Sequence, residues 1–438
     1  MLSPLAATLE QRIQERQARV AVVGLGYVGL PLLLHVIRAG FPSLGLDIDR
    51  QRLQRLQAGD SYVQDVPPDE LYSLLSAGKL EVTDDYAQLT DRDIVLVCVP
   101  TPLGKSRDPD LRYIVQAATR LAECLHRGQL IILESTTYPG STEEVVKPVL
   151  ESGGLRAGDD FFLAFSPERI DPGNRKYTIE NTPKIVGGLT PTCTHLACRF
   201  YEAFVSAVHP VPSIRTAEMA KLLENAFRAL NIALVNELAL LSHSIGVDIW
   251  EVIEAAATKP FGFMPFYPGP GVGGHCIPVD PHYLSWRVKN LSLPARLIDL
   301  AMEINSQMPA HVLHRTFDAL NSVGKSVRGA QILIIGVAYK PNVGDTRESP
   351  ALKVMQLLQE RGGRLRYHDP LVPEVEVDGI RYTNQPLSPA LIEGSDCVLI
   401  TTHHDQIDYE MIGQHADLIV DTRNAMRSVR CRGRVFRL

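Results

Sequence analysis

No stretch of this chain is dominated by one charge sign. Its 44 lysines and arginines are interleaved with 50 aspartates and glutamates, and there is no basic run. That excludes the electrostatic footprint of a nucleic-acid binder, and no nucleic-acid partner is expected. Long apolar runs are also missing. "LIIL" (130–133) and "LALL" (238–241) are far shorter than the ~20 residues that cross a bilayer, so no membrane span is expected. The opening "MLSPLAATLEQRIQERQARV" lacks a signal-peptide core and reads as a short amphipathic helix leading into a strand. Cysteines are few and odd in number: Cys98, Cys124, Cys193, Cys198, Cys276, Cys397 and Cys431, scattered along the chain. This argues against a disulfide framework and for a reducing compartment, the cytoplasm. Short-period repeats and low-complexity segments are absent.

What is present is an ordinary globular composition over 438 residues, enough for two or three domains. "RVAVVGLGYVGLPLLLHVIRAGFPSLGLDID" reads as buried strand, glycine turn, helix and second strand. Solid apolar strands follow at "DIVLVCVP", "QLIILEST" and "FFLAFSPE", with helical patterns between them. Such alternation predicts a parallel sheet covered on both faces. From about Ser213 the period changes to one helix of about thirty residues, followed by more helix, a Pro/Gly/aromatic loop, and helix again to Asn321. A second strand–loop–helix–strand series begins at "GAQILIIGVAYK". The expected organisation is α/β, with two Rossmann-like parallel-sheet domains joined by a long central helix and a helical middle. Its boundaries are 1–212, 213–324 and 325–438.

Gly24, Gly26 and Gly29 form G-x-G-x-x-G directly after a strand and at the opening of a helix, with Tyr27 and Val28 between them. The first glycine permits the tight turn, the second lets a pyrophosphate reach the backbone, and the third lets helix and strand pack closely. Asp47 closes the second strand, at the spacing of a ribose-binding acid. A carboxylate there accepts the 2′-hydroxyl and repels a 2′-phosphate, so NAD is expected over NADP; Arg52, a cofactor contact on that side, is of a type that also suits a phosphate, but the acid decides. "CVPTP" and "ESTTYPGST" end strands on the carboxyl edge, where ligands of open α/β sheets bind. That makes Thr101, Ser135 and Thr136 cofactor contacts or, equally, caps of the following helices.

Glu218, Lys221, Asn225 and Arg228 share one face of the long helix. Their spacing fits a solvated face or a polar active-site wall. The loop "GVGGHCIPVDP" (271–281) sets Cys276 among glycines with Asp280 four residues on. A nicotinamide enzyme that stops at an aldehyde has no use for a thiol. One that continues to the acid gains from covalent catalysis, an oxyanion donor and a carboxylate that activates water. Cys276, Lys221, Asn225 and Asp280 are of those types.

The ordered set "GLGYVGLPL", "VCVPTP", "ESTTYPGST", "SPERI", "EMAKLLENAFRALNIALVNE", "GVGGHCIPVDP" and "GVAYKPNVGDTRESP" resembles the nucleotide-sugar 6-dehydrogenases of the UDP-glucose/GDP-mannose dehydrogenase group, along nearly the whole chain. The resemblance implies NAD-dependent four-electron oxidation of C6 of a UDP-sugar and a homodimer built on the long helix. It implies Cys276 as nucleophile, Lys221 as oxyanion stabiliser with Asn225 beside it, and Asp280 assisting the water. Thr136 and Glu168 would position water or substrate, and Gly273 and Gly274 would hold the sugar. Tyr339, Lys340 and Arg423 would reach the nucleotide-sugar, and Arg347 the cofactor. The cysteine loop is most similar to the UDP-N-acetylglucosamine branch. Pro172 stands where that branch often has a second acid, and an arginine usual around 258–263 is missing, with Lys259 nearby.

Cys193, His195 and Cys198 have metal-ligand types but no fourth partner in the pattern, and no metal is expected. His403 and His404 follow a strand and suit either a crevice or a polar surface. Two other functions fit parts of the sequence. A two-electron hydroxyacid dehydrogenase would need neither the cysteine nor the second α/β unit, and a non-catalytic nucleotide-sugar sensor would not need the sulfur.

Overall fold

The computed structural model describes residues 2–63, 66–104, 107–171, 173–174 and 176–438. Pro172 lies outside them. The chain divides into two compact units, Met1–Glu224 with His282–Leu293, and Asn225–Pro281 with Pro294–Leu438.

The first unit is an eight-stranded sheet. Its strands are β1 (Val20–Val23), β2 (Ser43–Leu46), β3 (Glu81–Thr83), β4 (Ile94–Val97), β5 (Leu130–Leu133), β6 (Phe162–Phe165), β7 (Lys184–Gly188) and β8 (Val208–Pro210). Their order is β3-β2-β1-β4-β5-β6-β7-β8. The strands β1, β2, β4, β5 and β6 are buried along their whole length, and apolar clusters cover both faces of the sheet. This is the reason β1, β4, β5 and β6 are solidly apolar rather than alternating. The opening residues form the expected helix, Pro4–Gln14, whose cap Ser3 accepts from the Ala6 amide. One pairing departs from the parallel expectation: β7 runs antiparallel to β6. It was not foreseen because "KIVGG" ends in two glycines, which weaken a strand pattern. Close approach explains them. A Cβ on Gly187 would lie 2.3 Å from the Ser213 carbonyl oxygen, and one on Gly188 2.2 Å from the Thr194 nitrogen.

The second unit contains a five-stranded parallel sheet made of β9 (Gln331–Ile335), β10 (Arg364–His368), β13 (Cys397–Ile400), β14 (Leu418–Asp421) and β15 (Arg434–Arg437), in the order β10-β9-β13-β14-β15. An antiparallel hairpin, β11 (Glu374–Val377) and β12 (Ile380–Thr383), forms a separate two-stranded sheet. The sequence pattern did not reveal this hairpin or β15. In both sheets the first strand has neighbours on both sides and the order reverses there, which puts a ligand crevice at the loop after that strand.

The long helix spans Ile214–Ile245, 32 residues, as its period predicted. Helices Ile249–Ala257 and Arg296–Asn321 follow the expected pattern. Helix Asp280–Lys289 does not: Asp280, expected on a loop, is its first residue.

Candidate active site

The dinucleotide loop has the backbone its glycines require. Gly24 takes φ +91°, and a Cβ there would sit 2.7 Å from the Cys98 carbonyl oxygen. A Cβ on Gly29 would sit 1.8 Å from the Gly24 carbonyl oxygen, whereas nothing lies within 4 Å of one on Gly26. The backbone is therefore closed where helix meets strand and open over Gly26, the place a pyrophosphate needs. Val28 caps and Gly29 begins helix Gly29–Arg38, whose N-terminus favours an anion. Tyr27 is partly exposed on the loop. The buried Asp47 carboxylate accepts the Leu25 amide (2.8 Å) and the Asp49 amide (2.9 Å), with the Arg52 guanidinium at 3.3 Å. It ties the glycine loop to the end of β2 and keeps a negative charge beside it. These residues fit NAD.

On the same carboxyl edge, Ser135 caps no helix. Its hydroxyl donates to the Val99 carbonyl (2.8 Å) and so ties β5 to the loop after β4. The Thr101 carbonyl accepts the Tyr283 hydroxyl at 3.0 Å. Thr136 is half-buried, and its hydroxyl bonds to no other described residue.

The polar stripe is not a solvated face along its whole length. Glu218 is 0% exposed, Lys221 6% and Asn225 4%, and only Arg228 is exposed. Glu218 accepts the amides of Gly140 (2.6 Å) and Thr142 (3.0 Å) and the Thr142 hydroxyl (2.7 Å), anchoring the loop after Thr136. One turn on, the Lys221 ammonium donates to the Glu168 carbonyl at 2.5 Å. The Glu168 carboxylate itself accepts the amides of Arg169 (2.6 Å) and Ile170 (2.5 Å). Thr136, Glu168 and Lys221 all belong to the first unit.

In the second unit the Cys276 carbonyl accepts the Asp280 amide at 2.8 Å, a turn that leads into helix Asp280–Lys289. The buried Asp280 carboxylate accepts Nδ2 of Asn225 at 2.5 Å. Asp280 thus lies one backbone turn from Cys276, and its carboxylate holds the Asn225 side-chain amide within the same unit. The glycines beside Cys276 are obligatory: a Cβ on Gly273 would meet the Glu348 carbonyl oxygen at 2.6 Å, and one on Gly274 the Tyr339 ring at 2.8 Å. Tyr339 thus packs directly on the cysteine loop, with the Lys340 ammonium 5.9 Å from its ring centre. The Arg347 guanidinium forks onto Asp345 (Nε–Oδ1 2.9 Å, Nη2–Oδ2 2.5 Å), while its carbonyl accepts the Gly274 amide at 3.1 Å. Arg423 lies against Gly269 and donates through Nε to the Thr401 carbonyl at 3.0 Å. Burial pushes its pKa down to about 10. His275 is 4.0 Å from Asp345.

Five of the other thiols are poor nucleophiles at neutral pH. Burial pushes Cys98, Cys124, Cys198, Cys397 and Cys431 up, Cys198 to about 11 and Cys397 to about 12. Cys193 and Cys198 pack in the core, and the His195 ring reaches Glu10 at 2.7 Å.

Three sections of the chain match successive parts of one family. Residues 18–205 match the NAD binding domain, 215–307 the central domain and 333–428 the UDP binding domain. The chain belongs to the UDP-glucose/GDP-mannose dehydrogenase family. A relative named UDP-N-acetyl-D-mannosamine dehydrogenase, from Pyrococcus horikoshii, is 38% identical, covering 93% of this chain and 96% of its own. A UDP-N-acetyl-D-glucosamine 6-dehydrogenase of Pseudomonas aeruginosa is 38% identical over 82% of this chain and 84% of its own. The solved UDP-D-ManNAc dehydrogenase of P. horikoshii superposes with TM-score 0.87 at 36% identity, covering 96% of this chain and 98% of that one. The chain is an NAD-dependent UDP-sugar dehydrogenase, and the reading as a non-catalytic sensor falls away.

Sequence reasoning missed several polar groups of this dehydrogenase. Glu134, Lys184 and Tyr201 form a buried cluster beside Glu168. The buried Asn236 amide accepts the Gly269 amide at 3.0 Å and donates to Asn305 at 2.9 Å, holding the base of the cysteine loop. His404 is not a surface residue. It is fully buried, 3.1 Å from Asp369, and Asp369 also accepts the amides of Val337 (2.7 Å) and Ala338 (3.1 Å). His403 instead packs edge-on to Tyr409. An acid closing the second strand and gripping the loop after the first was the available signal, since Asp47 does the same in the other sheet. Lys259 lies over the exposed Phe261 ring at 4.9 Å.

Proposed function

We propose that the chain oxidises the C6 hydroxyl of UDP-N-acetylglucosamine to the uronic acid by four-electron chemistry through Cys276. The observation that carries this reading is that Asp280 follows Cys276 by one backbone turn and binds the Asn225 amide through its carboxylate within one unit. NAD, when bound, accepts a hydride in each of the two oxidations. Between them the Cys276 thiolate adds to the C6 aldehyde, and the new C–S bond leaves an alkoxide that Lys221 stabilises with Asn225 until it takes a proton. Loss of that proton and of the C6 hydride gives a thioester. Water, with a proton passing to Asp280, then releases the carboxylate and returns the thiol. Thr136, with its hydroxyl uncommitted to other described residues, and Glu168 orient substrate or water. Gly273, Gly274, Tyr339, Lys340 and Arg423 hold the UDP-sugar, and Arg347 the cofactor.

UDP-N-acetylmannosamine is the second reading. It is favoured by the Pyrococcus relative, which matches more of the chain at the same identity. We retain the three-domain division 1–212, 213–324 and 325–438 for these roles, in a cytoplasmic enzyme.

A homodimer is supported by an apolar stripe along one helix. Met219, Leu223, Phe227, Leu234, Leu238 and Leu241 are all exposed on Ile214–Ile245 at helical spacing. No helix among the described residues is long and apolar enough to cross a membrane. NADH release against UDP-glucose and the UDP-N-acetylhexosamines tests the substrate. The reading predicts the highest kcat/KM for UDP-N-acetylglucosamine and two NADH per sugar, whereas one NADH per sugar would overturn it.

A further inference from the structure

Glu134 directly follows β5, Tyr201 ends helix Pro191–Tyr201 and Lys184 begins β7. Because β7 is antiparallel to β6, its first residue falls on the same edge as the last residues of β5 and β6. The reversal therefore delivers a lysine to the edge that carries Glu168. The Lys184 ammonium contacts Glu134 Oε2 and lies 3.5 Å from Glu168 Oε2. Glu134 Oε1 accepts the Tyr201 hydroxyl. Glu134, Lys184 and Tyr201 are 1%, 6% and 0% exposed. The other Glu168 oxygen is occupied by two backbone amides, and the Glu168 carbonyl by Lys221.

We propose that Lys184 is a positioning residue for the reaction. Anchored on Glu134 and Tyr201, its ammonium fixes the Glu168 carboxylate and, through the Glu168 carbonyl, the Lys221 side chain. This rests on the roles given above to Glu168 and Lys221. Burial alone would lower the Lys184 pKa, but the two carboxylates outweigh it and hold it above its usual range. Burial, and after it the charge of Glu168, pushes the Glu134 carboxyl up against the pull of Lys184. A buried ammonium between two carboxylates is costly to assemble, and a brace alone could be built from apolar side chains. What apolar side chains cannot do is hold a carboxylate at one angle.

The test is the double variant Glu134→Gln/Lys184→Met, which removes both charges so that neither is stranded, compared with Lys184→Arg. Expected for the double variant are a melting temperature near wild type, an NAD KM within about twofold, and kcat lower by on the order of a hundredfold. The Arg169 and Ile170 amides should exchange hydrogen about tenfold faster. Lys184→Arg should recover most of the kcat. A double variant with wild-type kcat and wild-type exchange at those amides overturns the proposal. So does an arginine variant as slow as the double one. If the double variant melts far below wild type, Tyr201→Phe loosens the anchor without stranding a charge. Lower kcat with faster exchange at the same amides supports the proposal, and unchanged values overturn it. If the wild type itself releases no NADH from any UDP-sugar, the proposed function has failed, and exchange at Arg169 and Ile170 alone decides the tether.

Discussion

Replacing Glu218 by alanine tests whether the polar stripe of the long helix is a structural anchor of the loop after β5. The carboxylate is fully buried and accepts two amides, from Gly140 and Thr142, and the hydroxyls of Thr137, Ser141 and Thr142. The hydroxyls can turn to other acceptors. The amides cannot, because the loop backbone fixes their direction. A buried amide left without an acceptor costs roughly 1–3 kcal/mol, so Glu218→Ala should destabilise the first unit by about 2–6 kcal/mol. Glu218→Gln keeps one acceptor oxygen and should lose about half as much. The assay is urea unfolding followed by Trp286 fluorescence in a Trp250→Phe background, since the chain has two tryptophans. The Trp286 ring lies 5.0 Å from that of Tyr138, in the anchored loop. A loss below about 1 kcal/mol, within the range of ordinary surface substitutions, would refute the reasoning.

Three further outcomes follow from named contacts. Gly273→Ala would force a Cβ to within 2.6 Å of the Glu348 carbonyl oxygen. Steady-state kinetics should show the UDP-sugar KM raised by on the order of tenfold and the NAD KM unchanged. Asp47→Ser removes the charge that repels a 2′-phosphate, so the NAD:NADP ratio of kcat/KM should fall by on the order of tenfold; an unchanged ratio contradicts that role. His311 is held down to about 4 from 6.5, by burial first and then by Arg315, His243 and His314. Between those values the unfolded chain takes up a proton that the folded one refuses. Stability should therefore be complete above pH 6.5 and fall toward pH 4. Partial exposure reduces the loss to about 1–2 kcal/mol. Urea midpoints of wild type and His311→Gln should converge as pH is lowered, and parallel pH profiles would contradict this.

Much of the candidate site was legible because its signals are local. The glycine triplet, the strand before it and Asp47 lie within one βαβ unit, and a helix of 32 residues cannot hide its period. The stripe of Glu218, Lys221 and Asn225 could not be settled from pattern, since what covers a polar face comes from elsewhere in the chain. For Glu218 it is a loop 76–81 residues upstream. Lys184 was invisible for a related reason. Its strand is short, glycine-ended and reversed, and its partners lie 50 and 16 residues away. Asp369 and His404, 35 residues apart, meet only after the second sheet has formed.

The most direct measurement counts NADH against uronate in wild type and Cys276→Ser, with UDP-N-acetylglucosamine and excess NAD. Covalent oxidation through this thiol requires two NADH per uronate in wild type, and no uronate from the serine variant. If Cys276→Ser formed uronate at the wild-type rate with two NADH per product, the sulfur would have no part in the chemistry.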